Sequence, residues 1–538
     1  MSERINDSFR FIIGCVISTL GAVFTVIHRI RIRLVVYNQD RLRHEYKVSD
    51  QTPVRSYDNE LKELINSAAA TKHGKLRFPI TSGSTGTPKH VLFTKRRLRS
   101  LKLVFSDFYL RCCWSFSIKR TSLYVFSSLE RDESLTSILL EEASLPSHVS
   151  TLQAPYRVQC HSSLRGLRAK YGDTAVRLWI LTLSNPGVLY STNPSTMSTF
   201  FDELHSNWDF SSRLIRDWFR DRESFDPGVR RIARRIGSKG ASQRVAAISR
   251  CDNAPLLESF APAVSTYICW TGGYVRPFLH RLEKYLPTTR YRAIPMYSMS
   301  TETVETIIDI RRKSISFLPI ATGVLYEFRE ELSDAGKRGD GNGGNYAPLL
   351  KPHQLEPGHE YSLIVSDNYG LRRYDTGDVF LCRKKVGDLP DLFFQRRRNL
   401  EYSFTGEKLT ADQVTTVFET IRCSQSKSFS DKFLTCIPSQ PAEDSVPHYK
   451  LVVIADQLRD GRLQTKLSES CDRLFGEINC EYKAKRESGR LGPVQLVCME
   501  RSDFLKMVSV SKSWETQFKF LPLYVQTWEA MKGQEQEQ

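Results

Sequence analysis

The feature that most constrains this chain is the alternation of short apolar runs with stretches of helical period. Strand-like runs occur at Ser122–Phe126, Val176–Leu183, Val264–Trp270 and Tyr361–Ser366, and helical patterns at Thr196–Leu204, Ser211–Phe219 and Val275–Tyr285. Such alternation predicts a layered α/β architecture, because each strand and each helix stripe needs an apolar partner. A second α/β pattern begins near Asn399, with helices expected at Ala411–Ile421 and Leu463–Ile478 and strands at Lys450–Ala455 and Val494–Cys498. The chain therefore reads as a large multi-layer α/β domain over 46–398, a smaller C-terminal α/β domain over 399–531 and a polar tail over 532–538. The Gly-, Asp- and Asn-rich stretch Asp334–Asn345 reads as a mobile loop inside the large domain.

Residues 1–45 form an apolar segment with a basic flank. Phe11–Ile27 holds no charged residue, and its 17 positions would span about 25 Å as a helix, just short of a hydrocarbon core of about 30 Å. Arg29, Arg31, Arg33, Arg41, Arg43 and Lys47 follow it, whereas Arg4 and Arg10 before it are offset by Glu3 and Asp7. The expectation is a membrane anchor with the catalytic region on the cytoplasmic side. A buried or membrane-surface helix is the alternative reading.

The chain has 77 Lys and Arg against 60 Asp and Glu, a net charge of +17 that suits anionic partners. The basic clusters at Lys95–Arg99, Arg230–Arg235 and Arg396–Arg398 lack the interleaved aromatics of a single-strand binding groove, so no nucleic-acid function is expected. The 12 cysteines are scattered with no Cys-x-x-Cys, which favours a reducing compartment and argues against a structural zinc site.

Thr81–Lys89, Thr-Ser-Gly-Ser-Thr-Gly-Thr-Pro-Lys, lies between the strand-like runs Leu76–Ile80 and Val91–Phe93. Gly83 and Gly86 permit a sharp turn whose N–H groups can converge on an anion, with hydroxyls from Ser82, Ser84 and Thr85 and charge from Lys89. Its spacing differs from that of the common P-loop. Four later stretches add chemistry. Cys269-Trp270-Thr271-Gly272-Gly273 ends a strand in two glycines, where a planar base could lie against backbone. Tyr297–Glu302 places a carboxylate after Ser300 and Thr301, suited to a magnesium ion on a triphosphate. Tyr374–Asp378 is a tight turn ending in a carboxylate suited to ribose hydroxyls, and Phe394-Gln395-Arg396-Arg397 followed by Gly406-Glu407-Lys408 offers a phosphate-facing arginine.

In this order the stretches resemble the acyl-adenylate-forming superfamily. More narrowly, the chain resembles the plant auxin-responsive acyl-acid amido synthetases, the Gretchen Hagen three family. That match adds Asn193-Pro194-Ser195-Thr196, Ser316-Phe317-Leu318-Pro319 leading to Tyr326-Glu327-Phe328, Arg490-Leu491-Gly492-Pro493 and Gln517-Phe518-Lys519, and covers roughly Thr52–Pro522. The resemblance implies an adenylation domain with a mobile C-terminal domain. It implies a ligase that uses ATP and Mg2+ to activate a carboxylic acid as an acyl-adenylate, then transfers the acyl group to an amine, an amino acid in this family. Carried over by motif, Ser82–Thr85 would hold phosphates, Glu302 the magnesium, Asp378 the ribose and Arg397 the phosphate or ribose. Lys519 would be the lysine brought in by domain rotation to neutralise developing charge.

The pattern also departs from the family. Ser298 and Thr303 stand where a Tyr and a Gly are usual, with Tyr297 displaced by one, so base stacking by Tyr297 is not expected. Thr516, Phe520, Leu521 and Pro522 alter the surroundings of Lys519, leaving Lys512 as its alternative, as Arg396 is for Arg397. An acyl-CoA ligase on the same fold and a membrane-anchored non-catalytic homologue are the competing functions. The acid and the amine are not legible, because acyl pockets are assembled from scattered apolar residues.

Overall fold

The computed structural model describes residues 2–49, 51–54, 95–127, 161–272, 275–331, 349–398, 400–405, 407–424, 433–442, 445–454, 461–508 and 520–536. These fall into two compact units. Among them, the first takes everything up to Thr271 together with Leu282–Gln395, and the second takes Gly272–Arg281 and Arg396 onward.

The first unit is built on a parallel sheet of β1 (Leu123–Val125), β2 (Val188–Ser191), β3 (Thr266–Cys269) and β4 (Arg292–Pro295), paired in that order. The first three strands are buried at every position, as expected of parallel strands covered on both faces, whereas edge strand β4 is half open. A hairpin of β5 (Ile307–Arg311) and β6 (Ser314–Leu318) follows. Then comes an antiparallel sheet of β7 (Val324–Glu330), β8 (Glu360–Asp367), β9 (Tyr374–Val386) and β10 (Leu389–Arg397), which run in sequence order across the sheet. The helices expected at 196–204, 211–219 and 275–285 form as Pro194–Ser206, Trp208–Arg220 and Arg276–Tyr285.

One sequence expectation is reversed. Val176–Leu183 is the second half of the helix Arg165–Ser184, not a strand, and every residue from Ala175 to Ser184 is buried. A helix covered all round shows no polar face, so its sequence has neither a 3.6 nor a 2.0 period.

The membrane anchor expected at Phe11–Ile27 finds no support among the described residues. These residues belong to a 44-residue helix, Ser2–Glu45, and no helix among the described residues is long and apolar enough to cross a membrane. The helix instead docks on the first unit. Gly21 approaches the helix Lys95–Ser115 so closely that a Cβ there would lie 2.5 Å from the Leu110 carbonyl oxygen. Farther along, buried His28 faces Asp309 at 3.2 Å, Arg31 lies 3.9 Å from Asp107, and Arg43 reaches Glu327 at 3.4 Å. The Gln39 amide pairs with β7 like an added strand residue, donating to the Val324 carbonyl (2.9 Å) and accepting from the Tyr326 N–H (2.8 Å).

The second unit contains a three-stranded sheet in which β13 (Phe433–Ser439) pairs antiparallel with β14 (His448–Ile454), which pairs parallel with β15 (Gln495–Met499). Its helices Ala411–Ser424 and Gly461–Ile478 and its strands β14 and β15 occupy the positions expected from the sequence. A short ladder of β11 (Glu401–Tyr402) and β12 (Leu409–Thr410) precedes them. The stretch expected as a polar tail carries the end of a helix, Trp528–Gln536. The loops expected at 81–89 and 334–345 lie outside the described residues.

Candidate active site

Three of the family-like stretches of the first unit follow the C-terminal ends of its parallel strands β2, β3 and β4, where open α/β sheets place ligands. After β2 the chain turns through Thr192 and Asn193. The Asn193 side chain accepts from the Ser195 N–H at 3.1 Å and caps a helix that opens on Pro194, so Asn-Pro-Ser-Thr is locally a helix start. After β3, the Trp270 N–H donates to the Thr192 carbonyl at 3.1 Å, and the Trp270 ring lies 5.1 Å from that of Phe394. After β4, the Met296 N–H donates to the Cys269 carbonyl at 2.8 Å, and the chain enters the acidic hairpin.

That hairpin is closed by backbone bonds from Ser300 to Thr303 (3.0 Å) and from Glu305 and Thr306 to Ser298 (3.0 and 3.1 Å). The Ser298 hydroxyl donates to buried Glu305, and its N–H to the Thr306 hydroxyl at 3.0 Å. Ser298, the departure from the family pattern, is thus the clasp of the hairpin. Glu302 sits at its tip, 5% exposed, with half-buried Ser300 and Thr301 beside it. Tyr297 is buried with its ring 5.3 Å from that of Phe108, and burial holds its phenol well above its ordinary pKa. It is a core residue.

The Thr-Gly-Asp stretch lies in β9 at the irregularity in its pairing with β8, between Asp375 and Val379. Gly377 adopts φ 75°, a conformation that favours glycine. The Thr376 hydroxyl donates to the Leu363 carbonyl (2.9 Å) and accepts from the Asp378 N–H (3.1 Å), fixing the turn that presents buried Asp378.

Two adjacent residues of β7 tie these segments down. The buried Tyr326 hydroxyl donates to the Val304 carbonyl in the acidic hairpin at 2.7 Å. Glu327 accepts a two-pronged bond from Arg373 at 2.9 and 2.7 Å, immediately before Tyr374–Asp378. Arg373 and Glu327 are both about 3% exposed, so the pair exclude water from one another, the setting in which a forked arginine–carboxylate contact is strong. Arg97, in the first turn of Lys95–Ser115, donates to the Glu302 carbonyl. No motif marked Arg97, Tyr326 or Arg373 as site residues. The sequence signal was the Tyr-Glu-Phe stretch itself, which carried no chemistry until its partners were seen.

The second unit holds the remaining stretches. Gly272 is buried, and Arg397 is half-buried at the end of β10. Its neighbour Arg396 pairs with Asp412 at 3.0 Å. Glu407 accepts from the Tyr449 hydroxyl (2.6 Å) and from the Phe404 and Thr405 N–H groups (2.8 Å each). Burial alone would raise its pKa, but those bonds outweigh burial and hold it below the usual carboxylate value. Glu407 is therefore a folding lock. Phe520 is buried among the rings of Phe433 (4.3 Å), Phe278 (5.7 Å) and Phe504 (5.8 Å), and Leu523 adds a parallel bridge to Cys436 in β13. The chain just beyond Lys519 is thereby pinned by apolar packing. Ser82, Gly83, Ser84, Thr85, Gly86, Lys89, Gly273, Lys512 and Lys519 lie outside the described residues.

Comparison with known proteins gives a consistent result. Residues 317–397 match the GH3 family central domain, and residues 414–526 match the GH3 family C-terminal domain. Indole-3-acetic acid-amido synthetase GH3.10 of Arabidopsis thaliana is 26% identical over 248 residues, 44% of this chain and 40% of that protein. GH3.2 of the same organism, another indole-3-acetic acid-amido synthetase, is 21% identical over 323 residues, 55% of each chain. The matches thus span between two fifths and a little over half the length of these curated relatives. Among solved structures, the GH3.15 acyl acid amido synthetase superposes with a TM-score of 0.69 at 15% identity, covering 97% of this chain and 96% of that one. The chain has the mixed α/β fold of that enzyme, with a large N-terminal and a smaller C-terminal domain.

Proposed function

We propose that this chain, in which residues 317–397 and 414–526 match the central and C-terminal domain models of the GH3 family, is an ATP-dependent amide-forming ligase acting on a carboxylic acid and an amine, an amino acid first among the candidates. The observation that carries this reading is that neighbouring residues of one strand, Tyr326 and Glu327, tie down the segments that carry Glu302 and Asp378, through Val304 and Arg373. A carboxylate is a poor electrophile. Its oxygen therefore attacks the α-phosphorus of ATP, the bond to pyrophosphate breaks, and the acid becomes an acyl-adenylate. The amine nitrogen then attacks the acyl carbon, the bond to AMP breaks, and the amine gives up a proton. Both steps rest on positioning and charge stabilisation.

In this reading Ser82, Gly83, Ser84, Thr85, Gly86 and Lys89 hold the phosphates. Gly272, Gly273, Ser300 and Thr301 border the nucleotide, Asp378 takes the ribose hydroxyls, and Arg397 takes the phosphate or ribose. Lys519 neutralises charge that develops as the adenylate forms, acting as a compact point charge that can reach several oxygens. The Glu302 carboxylate at the hairpin tip is a hard oxygen donor that fits Mg2+, which takes one or two carboxylates from a protein and its other ligands from water and phosphate. Bound there, the ion would offset negative charge on the triphosphate.

The test is pyrophosphate release from MgATP with pooled carboxylic acids, with and without pooled amino acids, followed by mass spectrometry of products. An amide is expected, with release lowered at least about a hundredfold by Glu302→Ala. Release without an amide would assign another acceptor such as coenzyme A. No release from either pool by protein that binds ATP would refute the ligase reading in favour of a binding protein.

A further inference from the structure

Arg97 is a charged side chain only 7% exposed, at the start of the helix Lys95–Ser115 and eight positions beyond Lys89. Burying a guanidinium is unfavourable unless its donors and its charge are matched. Its Nη2 donates to the main-chain carbonyl of Glu302. Its Cζ lies 5.4 Å from the centre of the Tyr369 ring, within the range of a cation–π contact. Asp367 and Glu302 are the carboxylates whose charges bear on it.

These partners belong to two segments that meet the site from different sheets. Glu302 is the tip of the acidic hairpin after β4. Asp367 ends β8 and Tyr369 lies in the β8–β9 connection, where the Asp367 carboxylate accepts from the Tyr369 and Leu371 N–H groups at 2.8 and 3.0 Å. That connection continues through Arg372, which donates to the Asp367 carbonyl at 2.6 Å, and Arg373, bound to Glu327, into the turn of Asp378. Tyr326 holds the C-terminal limb of the hairpin through Val304. Arg97 holds its tip.

We propose that Arg97 is a positioning residue for the metal: its guanidinium registers the Glu302 hairpin against the β8–β9 connection, so that the carboxylate of Glu302 points at the ion. This rests on the reading that Glu302 holds Mg2+. Arginine suits the role because one planar group offers an edge to a carbonyl, a face to an aromatic ring and a charge to a carboxylate. Lysine keeps the charge but loses the fork.

The experiment is a Mg2+ titration of the ATP-induced thermal shift, using the full chain as wild type, Arg97→Met, Arg97→Lys and Glu302→Gln, with ATP affinity measured separately without metal. Arg97→Met is expected to raise the Mg2+ concentration for half-maximal shift about tenfold, with Arg97→Lys between it and the wild type, as for residues that orient a metal ligand. Metal-free ATP affinity is expected to change by less than about threefold. A general structural defect would lower the melting temperature without moving the Mg2+ midpoint. If Glu302→Gln shifts the midpoint and Arg97→Met leaves it within about twofold, the positioning role is overturned while the metal reading stands. If Glu302→Gln leaves it unmoved, both are overturned. Should Arg97→Met not fold, Arg97→Lys decides by the same twofold criterion.

Discussion

Glu407→Gln tests whether the Gly-Glu-Lys stretch is structural or chemical. Glu407 is 1% exposed, and its two oxygens accept from the Tyr449 hydroxyl at 2.6 Å and from two backbone N–H groups at 2.8 Å. Glutamine keeps the shape, yet its Nε2 can only donate, so one rotamer faces it with the Thr405 N–H and the other with the Tyr449 hydroxyl and the Phe404 N–H. Hydrogen bonds to a charged group contribute about 1.5–3 kcal/mol against about 1 for neutral ones, and a buried N–H left unmatched costs about 1–3 kcal/mol. The substitution should therefore destabilise the second unit by about 3 kcal/mol at neutral pH. Hydrogen exchange of the full chain, followed on the peptide spanning 401–408 and on β13–β14, reads this locally. The pH dependence has a definite sign. Because the folded pKa lies below the unfolded value of 4.5, the stabilisation is present above 4.5 and is lost as pH falls through the folded value. Wild type and variant should therefore converge in acid. A difference below about 0.5 kcal/mol at neutral pH, or one that does not shrink on acidification, would refute the argument.

Two further outcomes follow from the first unit. A Cβ on Gly187 would lie 1.8 Å from the Arg120 carbonyl oxygen, so Gly187→Ala must push two backbone segments apart; equilibrium unfolding should show a loss of about 3 kcal/mol or more, and a loss under about 1 would mean the strand end is not held there. His28 is buried, and burial pulls its pKa below 6.5 in spite of the neighbouring Asp309. The unfolded chain therefore binds the extra proton first, and stability is full above 6.5 and falls as pH drops below it. His28→Asn should flatten the slope of melting temperature against pH below 6.5, and an unchanged slope would show that another group titrates.

The second unit was largely legible because its helices are amphipathic and its strands short and β-branched: Leu451, Val452, Val453 and Ile454 leave little choice but a buried strand. The Thr-Gly-Asp turn was legible for a local reason as well, since Gly377 needs a left-handed φ. Val176–Leu183 was misread because an unbroken apolar run fits a strand or a fully buried helix equally well. Phe11–Ile27 was legible as helix, but its apolar length alone does not say whether lipid or protein lies opposite. Phe520 stood out as a departure beside Lys519, but its reason, a cluster with Phe433 and Phe278, lies far away in the chain.

What the sequence determined by itself is whatever depends on neighbours a few positions apart: helix and strand periods, helix caps such as Asn193, turns that require glycine, and the order of the stretches that carry chemistry. Tertiary structure decided how those stretches are held. Tyr326 reaches Val304 across 22 positions, Arg373 reaches Glu327 across 46, and Gln39 pairs with Tyr326 across 287. No local pattern records such bonds, because a hydrogen bond needs its donor and acceptor within about 3 Å, and only the packed backbone brings residues so far apart in the chain to that distance.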